Sequence, residues 1–101
     1  MPAAYVILHN RVHDQDAYAR YVELVAPTML KHGAEIMVID DNAQCIEGEA
    51  PFPRTVLLRF PSRDAVTAWY TSPEYQEILP IRQASADGFA VVCDEFAYPQ
   101  G

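Results

Sequence analysis

Four short runs of this chain are apolar at nearly every position, and the segments between them place apolar residues every third or fourth position. Residues 4–10 (AYVILHN) join β-branched and aromatic residues and give way to polar Asn10 and Arg11, which predicts a first strand. Tyr18, Tyr21, Val22, Val25 and Met29 then fall at i, i+3, i+4, i+7 and i+11, one apolar stripe of an α-helix. Asp14 is its N-cap, Asp16 sits favourably in the first turn, and Gly33 after His32 supplies a left-handed stop. Pro27 cannot donate to residue 23, so the pattern predicts a kink there or a restart with Pro27 in a new first turn.

Residues 34–39 (AEIMVI) read as a second strand, followed by a turn at Asp40-Asp41-Asn42. Residues 44–49 (QCIEGE) either continue that strand past a bulge or form a short extra ribbon. Residues 50–54 are a loop, because Pro51 and Pro53 cannot sit in a ladder, and residues 55–60 (TVLLRF) are a third strand. Ser62 caps a second helix, with Asp64 in its first turn and Ala65, Val66, Trp69 and Tyr70 on its inner face. Ser72 caps again, ahead of Pro73 at a first helical position, and opens another short helix through about residue 79. Residues 80–86 add a further helical turn or two, Gly88 stops them, and residues 89–96 (FAVVCDEF) form the last strand.

The order strand, helix, strand, strand, helix, strand is the split βαβ signature. With right-handed crossovers it predicts a ferredoxin-like α+β fold: a four-stranded antiparallel sheet of order 4-1-3-2 with helices on one face. One domain is read over residues 1–97, with a short C-terminal tail at residues 98–101. An antiparallel sheet with one wet face should alternate apolar and polar residues. Here the runs at 5–8, 36–39, 56–58 and 90–93 are apolar on both faces. Helices cover only one of them, and the bare face would exceed the few hundred Å2 that monomers tolerate. A second copy, related by a two-fold axis, is the simplest cover, so a homodimer through the open sheet face is expected.

Charge and cysteine usage narrow the partners. Fourteen Asp and Glu stand against 7 Lys and Arg, for a net charge of −7. The basic residues are scattered singly, without the positive patch that nucleic acid requires, so neither nucleic acid nor an anionic membrane is an expected partner. No segment approaches the ~20 apolar residues of a membrane span, and residues 1–9 lack a basic n-region. Cys45 and Cys93 show no metal-ligand or C-x-x-C spacing and are expected as buried or half-buried thiols in a reducing compartment. A cytoplasmic location follows as the expectation. No P-loop, dinucleotide fingerprint, HExxH or nucleophile elbow occurs, and no bound metal or cofactor is expected. Catalysis, if present, is cofactor-free acid–base work or relies on a haem or flavin brought from outside.

The topology brings the end of strand 1, the connection between strands 2 and 3 and the start of strand 4 to one edge. His9, Tyr18, Tyr21, Glu47, Arg54, Trp69, Tyr70, Tyr75 and Arg82 are therefore expected to ring one mouth between helices and sheet. His9, Glu47 and Arg82 are the catalytic candidates. His9 is read either as a general base or orienting donor, or as a half-buried imidazole satisfied by a neighbour. Arg82 is read as a carboxylate clamp or as the ion-pair partner of Glu47 or Glu74. Glu47 is correspondingly a base or a structural partner. Tyr21, Trp69, Tyr70 and Tyr75 are candidate ligand-binding residues, with packing in the core as the competing role. Asp40 and Asp41 lack a third ligand for a metal and are read as a solvated turn.

Several segments are also familiar in combination. Tyr18-x-x-Tyr21, Ala26-Pro27 followed by Lys31-His32-Gly33, Glu47-Gly48 and Phe60-Pro61-Ser62 are four of them. The most specific are Ala68-Trp69-Tyr70-x-Ser72-Pro73-Glu74-Tyr75 and Ile78-Leu79-Pro80-x-Arg82. Together, over nearly the whole chain, they resemble an uncharacterised family, the domain of unknown function numbered 1330, in the dimeric α+β barrel superfamily. The resemblance implies a ferredoxin-like dimer and no particular reaction. By analogy within the superfamily, it admits an isomerase, lyase or cofactor-independent monooxygenase acting on a carbonyl or aromatic compound. One place departs from the family pattern: the usual Arg-Gly-Gly after the second strand reads Ile39-Asp40-Asp41 here. An anion held by that arginine is not expected in this chain. The expected function is binding or transforming a small organic metabolite without a bound metal. The alternative is a non-catalytic structural or ligand-binding dimer module.

Overall fold

In the computed structural model, which describes residues 2–99, the elements follow in the order β1 (Ala4–Val12), α1 (Gln15–Lys31), β2 (Glu35–Asp40), β3 (Arg54–Phe60), α2 (Arg63–Tyr70), α3 (Pro73–Ser85) and β4 (Ala86–Asp94). The strands form one antiparallel sheet of order β2-β3-β1-β4, the predicted ferredoxin-like topology. Of the predicted tail, residues 100 and 101 lie outside the described residues, as does residue 1.

Strand alternation divides the residues between two faces. Ala4, Val6, Leu8 and Asn10 of β1 share a face with Val56, Leu58 and Phe60 of β3. Against that face the helices bury Tyr18, Tyr21, Val25 and Met29 from α1, Val66 and Trp69 from α2, and Tyr75, Ile78 and Leu79 from α3, in one core. Each such large apolar side chain contributes roughly 1.5–3 kcal/mol when fully buried. Tyr5, Ile7 and His9 point the other way, beside Thr55, Leu57 and Arg59 of β3 and Phe89, Val91 and Cys93 of β4.

The helix ends follow the sequence signals. Asp14 Oδ1 accepts from Ala17 N at 3.1 Å, Ser62 Oγ from Ala65 N at 3.1 Å, and Ser72 Oγ from Tyr75 N at 3.2 Å. Gly33 stops α1 in the left-handed region, at φ 78°. The two prolines do not divide their helices: α1 runs unbroken through Pro27, and α3 through Pro80, merging two predicted segments. Each proline removes one backbone hydrogen bond, and burial of Val25 and Met29 in α1, and of Ile78 and Leu79 in α3, holds the helix across the gap. The Ser85 carbonyl accepts from His13 N at 2.9 Å and Asp14 N at 3.2 Å, tying the end of α3 to the start of α1.

Three further details differ from the sequence reading. Residues 44–49 form no strand; the irregularity falls earlier, between Ile36 and Val38 of β2, and residues 41–53 are an exposed loop. Arg11 holds that loop by donating to the Pro51 carbonyl. Gly88 lies inside β4, which begins directly at the end of α3. A Cβ at residue 88 would lie 1.9 Å from the His9 carbonyl oxygen, so only glycine lets β4 come this close to β1. Cys45 and Cys93 are exposed, Cys45 on the surface of the loop and Cys93 on the outer face of the sheet. Among the described residues, no helix is long and apolar enough to cross a membrane.

The helices cover the centre of the sheet. All of β2, and β4 beyond Ala86, remain exposed. This leaves a bare outer face on one side and a deep groove under the helices on the other.

Candidate functional site

The groove opens into a cavity of about 620 Å3 between sheet and helices. Its floor is apolar, from Leu8, Val56 and Ala90 with Ile36 and Ile39, and its helical wall carries Tyr18, Tyr21, Trp69, Tyr70, Tyr75 and Arg82.

The wall is fixed from behind. Trp69 Nε1 donates to Thr28 Oγ1 at 3.0 Å, and that hydroxyl donates to the Val25 carbonyl at 2.7 Å, so the indole is locked to α1. The Trp69 ring packs 5.3 Å from Phe60 and 4.2 Å from Tyr75, and Tyr70 lies 5.5 Å from Tyr75, all tilted as aromatic quadrupoles prefer. Ser72 joins the two short helices: its hydroxyl donates to the Trp69 carbonyl at 2.7 Å while capping α3 at Tyr75.

Tyr21 and Tyr75, both buried, place their hydroxyls 3.0 Å apart. Burial first, and then the Tyr75 oxygen, push the Tyr21 phenol far above its ordinary range, with Arg82 opposing. Tyr21 therefore keeps its proton. Arg82 reaches the same place from the last turn of α3. Burial works to lower its pKa, but the Tyr75 and Tyr21 oxygens outweigh it and the net direction is up. Its Nε is buried with no hydrogen-bond partner among the described residues, and it has no carboxylate ion pair there.

A second polar group stands beside the first, with the Tyr18 and Tyr21 rings 5.5 Å apart. The Tyr18 hydroxyl accepts from Asn10 Nδ2 at 3.0 Å and from Arg54 Nε at 3.3 Å, and the Arg54 guanidinium lies 5.1 Å over the Tyr18 ring. Arg54 is neutralised by an ion pair with Asp41. The anionic turn at Asp40-Asp41 thus supplies a partner to a pocket arginine. The one carboxylate lining the cavity among the described residues is Asp87, which is exposed and 4.0 Å from His13.

The structure brings together Tyr21, Trp69, Tyr70, Tyr75 and Arg82 of the sequence candidates, along with Tyr18 and Arg54. It does not bring His9 or Glu47 to them. His9 is on the opposite face of the sheet, its Nδ1 3.2 Å from Thr55 Oγ1 and its ring 5.4 Å from Phe89. Glu47 lies in the exposed loop, its carbonyl accepting from Cys45 Sγ at 3.4 Å, and it makes no ion pair with Arg82. Asn10 takes the inward place next to His9. The signal for it was a polar residue at the end of an apolar strand, and only strand parity separates it from His9.

Comparison with known proteins places this geometry in a wider set. The profile of the family described as Domain of unknown function (DUF1330) matches residues 3–96. No curated protein matches the sequence. A protein of unknown function from Rhodopseudomonas palustris is similar in structure with a TM-score of 0.82 at 16% identity, covering 96% of this chain and 85% of that one. SnoaB, a cofactor-independent oxygenase from Streptomyces nogalater, has a TM-score of 0.64 at 10% identity, covering 100% and 97%. A dimeric ferredoxin-like protein of unknown function from Thermobifida fusca has a TM-score of 0.62 at 15% identity, covering 93% and 92%. At these identities the likeness concerns the fold.

Proposed function

Since the chain belongs to the DUF1330 family, whose function is unknown, we propose from its own geometry that it binds a small, flat organic metabolite in the cavity between helices and sheet. The observation that carries this reading is the 620 Å3 of space behind a pre-ordered aromatic wall. A cavity in the range of 300–1,000 Å3, mostly apolar with a few convergent polar groups, is what small-molecule sites have in common. The same residues serving only as core would fill that space.

Binding is favoured over turnover by the chemistry of the lining. The wall offers hydrogen-bond donors: two arginines and a pair of tyrosine hydroxyls, of which Tyr21 holds its proton. His9 and Glu47, the bases proposed from sequence, stand outside it. The likeness to the oxygenase is a likeness of fold and brings no reaction here.

Trp69 is the single tryptophan of the chain and forms part of the wall, so its fluorescence reads occupancy directly. A neutral, flat probe such as 2-naphthamide should quench it saturably and raise the melting temperature. Ala90→Phe, which fills the floor, should abolish both effects while leaving the circular dichroism spectrum intact. Absence of saturable quenching and of any thermal shift in the native protein would overturn the reading.

We further propose that the bare outer face of the sheet is covered by a second copy of the chain. The motive is the row Val38, Leu57, Ile7 and Val91, which crosses that face strand by strand. The likeness to a dimeric ferredoxin-like protein supports it.

A further inference from the structure

The helical wall holds more donors than acceptors, and the surplus converges. Tyr21 and Tyr75 share one hydrogen bond at 3.0 Å, which uses one of their two phenol protons whichever group donates. The other proton is left for an outside acceptor. Among the described residues Arg82 Nε–H is buried without a partner, and a buried donor left unmade is costly. The Arg82 charge is also uncompensated. In a chain of net charge −7, every arginine that lines the cavity could have been given a carboxylate. Arg54 was, through Asp41, and Arg82 was not. The aromatic faces of Trp69, Tyr70 and Tyr75 adjoin this surplus of donors and positive charge.

We propose that Arg82 and the Tyr21–Tyr75 pair form the receptor for the carboxylate of a flat, largely apolar organic acid, whose hydrocarbon part lies along Trp69 and Tyr70. This deepens the reading of the cavity as a binding site and rests on it. The carboxylate supplies the acceptors that Arg82 Nε–H and the free phenol proton lack. It also neutralises the one cavity arginine without a carboxylate partner among the described residues. A guanidinium suits the task because its fixed N–H fork matches two carboxylate oxygens, which an ammonium does not. Arg54 is a neighbour and not the receptor, since Asp41 already occupies its fork.

The test compares 2-naphthoate with 2-naphthamide, two probes of the same shape that differ in charge, by calorimetry. The expected result is that the native protein binds the carboxylate at least about tenfold more tightly than the amide, a difference of ~1.4 kcal/mol. Arg82→Met should weaken naphthoate far more than the amide and bring the two to similar affinities. Tyr21→Phe should reduce the preference in part, and Arg63→Gln, at an exposed arginine that does not line the cavity, should keep it. Arg82→Lys, which retains the charge, takes the place of Arg82→Met if that variant fails to fold, and should retain only part of the preference. Equal affinity for both probes would overturn the carboxylate receptor while leaving the binding cavity in place. Failure of both probes to bind would overturn the cavity reading itself. A preference that survives Arg82→Met and falls in Arg54→Gln would move the receptor to the other arginine and overturn this assignment.

Discussion

Tyr21 lines the cavity and also ties the fold to pH. Its phenol has an ordinary pKa of 10.0 and a raised one in the folded chain, through burial and then the Tyr75 oxygen. A phenol that stays protonated when folded and ionises when unfolded stabilises the fold fully below about pH 10, and that stability is lost as pH rises above it. Each pH unit beyond 10 should cost about 1.4 kcal/mol per such group. We therefore expect the native melting temperature to fall faster above pH 10 than that of Tyr21→Phe. Absorbance at 295 nm should show the Tyr21 phenol, identified by its loss in Tyr21→Phe, ionising only as the protein unfolds. Parallel alkaline curves for the two proteins would show that Tyr21 is not held as the geometry indicates. His9 marks the limit of the residue-scale reading. Because β1 is apolar on both faces, no alternation in the sequence tells which of His9 and Asn10 points inward, and a one-residue change of parity moves an imidazole from the cavity to the outer face.

At the scale of elements, the join between α2 and α3 holds the aromatic wall together. One hydroxyl, that of Ser72, caps α3 and accepts from Tyr75 N while donating to the Trp69 carbonyl. Ser72→Ala should destabilise the fold by about 1–2 kcal/mol, from a lost cap and a lost buried hydrogen bond, as measured by urea unfolding. It should also broaden the Trp69 emission, because Trp69 and Tyr75 lose their common tether. A change under about 0.3 kcal/mol with unaltered emission would contradict the role assigned to the join. Elements of this kind were legible because their signals are local. Caps at Asp14, Ser62 and Ser72, proline at a first helical position and the stripe from Tyr18 to Met29 each state their structure within a few residues. The loop at residues 41–53 was harder to read, because its shape is set by partners distant in sequence, Arg11 on the Pro51 carbonyl and Arg54 on Asp41. That the helices continue across their prolines was hidden for a related reason: the local loss of one hydrogen bond is outweighed by burial that only the packed helix reveals.

At the scale of the whole molecule, one surface remains without a partner. The outer face presents Val38, Leu57, Ile7 and Val91 in a row across all four strands, with Phe89 and Cys93 beside it. Phe89 and Val91 are 49% and 44% exposed in the single chain, far from the state such residues adopt in a stable fold. Sheet-on-sheet packing at about 10 Å buries such a face when its partner is equally apolar, and a two-fold axis makes the face its own complement. Sedimentation at micromolar concentration should therefore give about twice the 11.3 kDa chain mass. Leu57→Glu places a charge at the middle of the row, where the interface would strip it of water without a counter-ion, and should give a folded monomer. Val91→Lys should do the same from β4 if the first variant proves insoluble. Leu30→Glu, at a position 71% exposed on α1, on the helix side of the sheet, should leave the dimer unchanged. Because Leu57 does not line the cavity, the Leu57→Glu monomer should still quench with 2-naphthamide. A native protein that sediments as a monomer would leave the outer face unexplained, and a dimer that persists in both charged variants would place the interface elsewhere.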